Sequence, residues 1–119
     1  MTNPVFPEKR NLHRWHLFLY LRVFDEQTGE LLGNLVDISE SGLMMISDQP
    51  IPKGKEFNLW VDVPHEEGER ERLQLKAHSR WCGKDINPDF YDNGFQIEHI
   101  DLLTLAKIQQ LINKFRFYK

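Results

Sequence analysis

Two short stretches of this chain carry side chains suited to holding an anion or a flat polar ring. The first is Arg10-Asn-Leu-His-Arg14, preceded by Lys9. Two arginines four positions apart can close on an anion from one side, because a guanidinium binds phosphate bidentately and stacks on flat rings. The second is Asp37-Ile-Ser-Glu-Ser-Gly42. Asp37 can accept from two donors, Ser39 offers a short hydroxyl, and Gly42 permits a backbone geometry closed to other residues. The same six residues also suit an ordinary β-turn, in which Asp37 and Ser39 bond the turn backbone.

Catalytic constellations are missing. The histidines stand apart at 13, 16, 65, 78 and 99, and His65-Glu-Glu-Gly lacks the second histidine of a zinc helix motif. There is no Gly-x-Ser-x-Gly and no phosphate loop ending in Gly-Lys-Ser/Thr. Cys82 is the only cysteine, which excludes an internal disulfide and any multi-cysteine metal site. Next to Trp81 at a strand end, it reads as a small packing residue. The expectation is a binding protein, not an enzyme, with no cofactor and no metal.

At 119 residues, with 40% hydrophobic and 28% charged side chains, the chain has the balance of one globular domain. The net charge of −3 argues against general nucleic-acid binding. The longest apolar run, Leu17 to Leu21, is far too short to span a bilayer, and the start shows no apolar leader segment. The expected location is the cytoplasm, with no membrane insertion.

Residues 1–14 contain Pro4 and Pro7 and show no period. They read as a flexible N-terminal arm carrying the arginines, and residues 15–119 as the domain proper. From Trp15 the pattern has period two, with Leu17, Leu19, Leu21 and Val23 on one face of a long strand. Turn residues Asp25 to Gly29 lead to a second strand around Leu31–Ile38, and Glu40-Ser-Gly42 to a third at Leu43–Ile46. Phe57, Leu59, Val61 and Val63 alternate in a fourth. The acidic stretch His65–Arg72 reads as a solvated loop or hairpin tip. Leu73, Leu75, Ala77, Ser79 and Trp81 alternate in a fifth strand, a polar loop runs from Gly83 to Asn93, and Phe95, Ile97 and His99 suggest a sixth. After Asp101, a good N-cap, Leu105, Ile108, Leu111, Ile112 and Phe115 recur at helical spacing. The pattern predicts a mainly β fold: a six-stranded antiparallel barrel closed or plugged by a C-terminal helix.

Together the two motifs resemble the PilZ domain family, with Arg-x-x-x-Arg in an N-terminal arm and Asp-x-Ser-x-x-Gly after a strand pair. The spacing fits one hairpin, Leu43 to Ser47 resembles the family's strand after its glycine, and Asn93-Gly-Phe-Gln-Ile-Glu resembles its last strand. The resemblance runs from about Lys9 to about Phe115. It implies a six-stranded PilZ-like barrel and a bacterial receptor for the second messenger cyclic di-GMP. It also implies that Arg10 and Arg14 hold phosphates and guanine bases, Asp37 accepts from a guanine edge, Ser39 bonds near base or phosphate, and Gly42 shapes the loop. Lys9 stands where some members have a further arginine; it supplies charge but no planar fork. Trp81 stands where some members place an aromatic near the ligand, and equally continues the core face of its strand.

Three functions compete. The first is a stand-alone receptor that orders its arm on binding cyclic di-GMP and signals through an unidentified effector protein. The second is a ligand-independent interaction module of the same fold, which the intact motifs disfavour. The third is a small-barrel nucleic-acid binder stacking bases on Phe18, Tyr20 and Phe24, which the negative charge disfavours.

Overall fold

A computed structural model describes residues 15–116. The arm expected over residues 1–14, with Lys9, Arg10 and Arg14, lies outside the described residues.

Six strands precede one helix: β1 (Trp15–Asp25), β2 (Leu31–Ile38), β3 (Gly42–Ser47), β4 (Glu56–Pro64), β5 (Arg70–Lys84), β6 (Tyr91–Glu98) and α1 (Leu102–Phe115). The strands close into an antiparallel barrel in the order β1-β2-β3-β6-β5-β4. Closure leaves no continuous open edge. Four ladders join strands consecutive in the chain, and two long-range ladders, β3 with β6 and β1 with β4, complete the ring. Gly29 (φ 77) and Gly68 (φ 87) supply left-handed backbone in the β1–β2 and β4–β5 turns.

The period-two pattern puts Val23, Leu35, Leu43, Met45, Leu59, Val61 and Ala77 inside, each fully buried. The helix adds Ile108, Leu111, Ile112 and Phe115 to the same core. Its N-cap is the expected one: Asp101 Oδ1 accepts from the Thr104 N–H at 2.7 Å. Lys114 donates to the Pro64 carbonyl (3.1 Å) and Lys107 pairs with Glu71 (3.4 Å), which ties the helix to the β4–β5 hairpin.

Four expectations change, two of them through bulges. In β1, four residues lie between the pairs His16↔Asp37 and Leu21↔Leu35, where β2 has only Val36. Within the bulged segment Leu17 stays buried, but Leu19 is 44% exposed where alternation would bury it. In β5, Arg80 is the extra residue between Ser79↔Phe95 and Trp81↔Gly94. The strand therefore changes faces: Ser79 is buried but Trp81 is 42% exposed, outside the core face it was expected to continue. The pairs Cys82↔Asn93 and Gly83↔Asp92 carry the β5–β6 ladder into the polar stretch, so the loop is only residues 85–90. His99 lies beyond β6 with φ 52, so it belongs to the turn into the helix and not to the strand.

Candidate functional site

The barrel register brings the second motif and Trp81 into one row. His16 pairs with Asp37, Asp37 with Met44, Met44 with Gly94, and Gly94 with Trp81. Residues directly opposite on neighbouring strands share a face. The adjacent Ile38, Leu43 and Phe95 point into the core, so this row lies on the outer surface. Its five positions cross β1, β2, β3, β6 and β5, a span of roughly 19 Å at ordinary strand spacing.

The floor of the row is shaped by glycine. A Cβ on Gly94 would stand 2.0 Å from Trp81 Nε1, so the indole lies across the space that a side chain at 94 would fill. The bulge at Arg80 turns Trp81 outward and Gly94 gives it a bed. Asp37, at the other side, is only 7% exposed although it points away from the core.

The turn from Ile38 to Gly42 is built by Ser39. Its N–H donates to the Gly42 carbonyl (2.8 Å), and its Oγ accepts from the N–H groups of Ser41 (3.2 Å) and Gly42 (3.1 Å). Ser39 is thus engaged with the turn backbone, as the simple β-turn reading requires. Glycine at 42 is explained by close approach: a Cβ there would lie 2.9 Å from the Phe95 carbonyl oxygen, and Gly42 is not among the glycines with positive φ. Two further bonds fix the turn: the Ile97 N–H donates to the Ser41 carbonyl (2.8 Å), and Gln109 of α1 donates to Glu40 (2.7 Å).

Trp15 pairs with Ile38. Trp15 is the first of the described residues, and Arg14 is its neighbour in sequence. Asp92, two residues from Gly94 on the same strand face, has its pKa raised by burial and by the neighbouring Asp85. Gly94, Met44 and Asp92 did not stand out as site residues in the sequence; the only available signal was a glycine inside a strand pattern, which marks close approach. Among the described residues, no group of three or more His, Cys, Asp or Glu side chains is placed to hold a metal ion.

The family model for the PilZ domain matches residues 8–114, and the chain belongs to this family. No curated protein sequence matches it. Among solved structures it is similar to the PilZ domain with c-di-GMP of YcgR from Escherichia coli, at 16% identity and a TM-score of 0.68 over 89% of this chain and 90% of that one. It is also similar to the Bacillus subtilis inhibitor of motility MotI/DgrA, at 16% identity and a TM-score of 0.65. That match covers 86% of this chain and 52% of the other, so this chain spans about half the length of that protein. A third is the PilZ domain of CeSA from a cellulose-synthesizing bacterium, at 16% identity and a TM-score of 0.59 over 86% of this chain and 96% of that one. At such identities the structural likeness concerns the fold.

Proposed function

We propose that this chain is a cytoplasmic receptor for cyclic di-GMP and passes the signal to an effector protein. The observation that carries the reading is the outer row that joins Asp37 to Trp81, with Trp15, the sequence neighbour of Arg14, paired to Ile38 beside it. Cyclic di-GMP offers two phosphates, two guanines and a compact ring. A site for it needs cations, a carboxylate and flat surfaces. Arg10 and Arg14 supply the cations, with Lys9 adding charge. Asp37 accepts from guanine N1–H and the exocyclic amine. Trp81 supplies a flat surface, while Ser39 and Gly42 hold the turn that presents Asp37. Membership of the PilZ family and the YcgR domain solved with this nucleotide support the assignment.

In this reading the molecule is a ligand, and the protein carries out no reaction. The arm holding Arg10 and Arg14 orders when the nucleotide binds. It loses its conformational freedom at that moment, which couples binding to a changed surface. A protein partner reads that surface.

Amide shift mapping tests the site. Cyclic di-GMP should move the resonances of Asp37–Gly42, Gly94 and Trp81 together and saturably. Folded protein whose spectrum does not change at millimolar nucleotide would instead be a ligand-independent interaction module.

A further inference from the structure

The outer face of β1, β4 and β5 carries a stack of flat groups that the receptor site leaves unused. β4 is the one strand that the row from His16 to Trp81 does not cross. Phe24 and Trp60 are partners on neighbouring strands, and their rings stack at 4.2 Å with 14° between planes. The Arg72 guanidinium lies 4.0 Å from the centre of the Trp60 ring, and that of Arg22 lies 5.6 Å from the centre of the Phe24 ring. The neighbouring Val23, Val61 and Leu73 fill the core, so the stack stands on the outside of the barrel.

Charge on this face is unbalanced. Arg22 and Arg70 share one carboxylate, Asp62, at 2.9 and 2.8 Å. Arg72 is paired with Asp62 in register, yet it makes no ion pair and no hydrogen bond among the described residues. Its donor fork is held against an indole with no acceptor supplied. A pre-positioned guanidinium loses little freedom on binding and matches a carboxylate bidentately. Tryptophan and arginine together are also the residues that dominate protein interfaces.

We infer that this face, centred on Trp60 and Arg72, docks an acidic segment of a partner protein. A carboxylate of that segment takes the Arg72 fork, and its apolar atoms rest on the Phe24–Trp60 stack. A nucleic acid fits less well, because a phosphate backbone needs several cations in line. Here the three arginines surround a single carboxylate, Asp62, which breaks such a line. The inference rests on the adaptor reading for its purpose and on the geometry of this face for its chemistry.

The test is a nuclear magnetic resonance titration of the whole chain with three probes: a short peptide alternating glutamate and phenylalanine, its glutamine counterpart, and an oligothymidylate. The acidic peptide should shift the Trp60 indole N–H and the amides of Arg22–Phe24 and Arg70–Gln74. Arg72→Gln should weaken it about tenfold, as loss of a charge-assisted hydrogen bond does. Equal binding of the glutamine peptide, tighter binding of the oligothymidylate, or no shift at Trp60 overturns the inference. Cyclic di-GMP affinity, measured on the same samples, reports on the receptor site separately, and Arg72→Gln should leave it unchanged.

Discussion

Gly94→Ala isolates the contribution of Trp81. The new Cβ would stand 2.0 Å from Nε1, 2.4 Å from Cε2 and 2.7 Å from Cδ1 of the Trp81 ring. Ordinary contact begins near about 3.5 Å, so the indole must retreat by roughly 1.5 Å or swing off the strand. The three nearest atoms all belong to one exposed side chain, so the backbone of β6 need not move. Fold stability should barely change. Shortening the list of unfolded conformations gains about 0.4–1 kcal/mol, and the indole's lost packing costs about 1 kcal/mol. Binding should change far more. A stacked base is worth about 1–3 kcal/mol, so affinity for cyclic di-GMP should fall roughly 5- to 150-fold. Calorimetric titration measures this, with urea denaturation as the control for folding. Trp81→Ala should lose a similar amount, and the double variant no more than either, because both changes remove one contact. Wild-type affinity in Gly94→Ala, with the Trp81 indole resonance displaced, would show that the ring does not touch the nucleotide.

Other outcomes follow from the same geometry. Arg10→Ala and Arg14→Ala should each lower affinity by roughly ten- to a hundredfold, the worth of one charge-assisted hydrogen bond, with melting temperature nearly unchanged. Asp37→Asn turns one acceptor into a donor facing a guanine donor, so titration should show partial loss; an unchanged affinity would reduce Asp37 to a turn residue. Asp92 has a raised pKa, so the folded state binds its proton more tightly than the unfolded chain does, and its ionisation costs stability as pH rises through the folded value. Asp92→Asn should therefore raise the urea midpoint at neutral pH, an advantage that vanishes below the usual carboxylate range. Asp62 behaves oppositely: the hydrogen bond from Arg70, with Arg22 assisting, lowers its pKa. Its contribution is present above the usual carboxylate range and is lost as pH falls through the lowered value, so Asp62→Asn should flatten the acid limb of a stability–pH curve.

The strands and the helix were legible because most of them bury one face. Phe57, Leu59, Val61 and Val63 are all buried as alternation requires, and Asp101 caps the helix through its own carboxylate. Alternation failed at the bulges. An extra residue costs no apolar position in sequence, yet in β5 it reverses the face at Trp81, while in β1 the bulge exposes Leu19 and the buried face resumes at Leu21. The polar run from Gly83 to Asn93 hid three pairs of the β5–β6 ladder, because backbone hydrogen bonds do not require apolar side chains. The two motifs were legible as residue types, and the site's layout was not. Asp37 and Trp81 are far apart in sequence, and their shared outer row follows from the β3–β6 ladder, a long-range pairing that no local pattern encodes. The requirement for glycine at 42 likewise comes from the Phe95 carbonyl across that ladder.

The receptor assignment meets its most direct test in isothermal titration of the whole chain with cyclic di-GMP, with GTP and cyclic AMP as controls. The account predicts saturable heat for cyclic di-GMP and much weaker binding of the other two, because only a ligand with two guanines and two phosphates can engage both motifs. Folded protein that gives no binding heat with cyclic di-GMP, or that binds all three nucleotides alike, would contradict it.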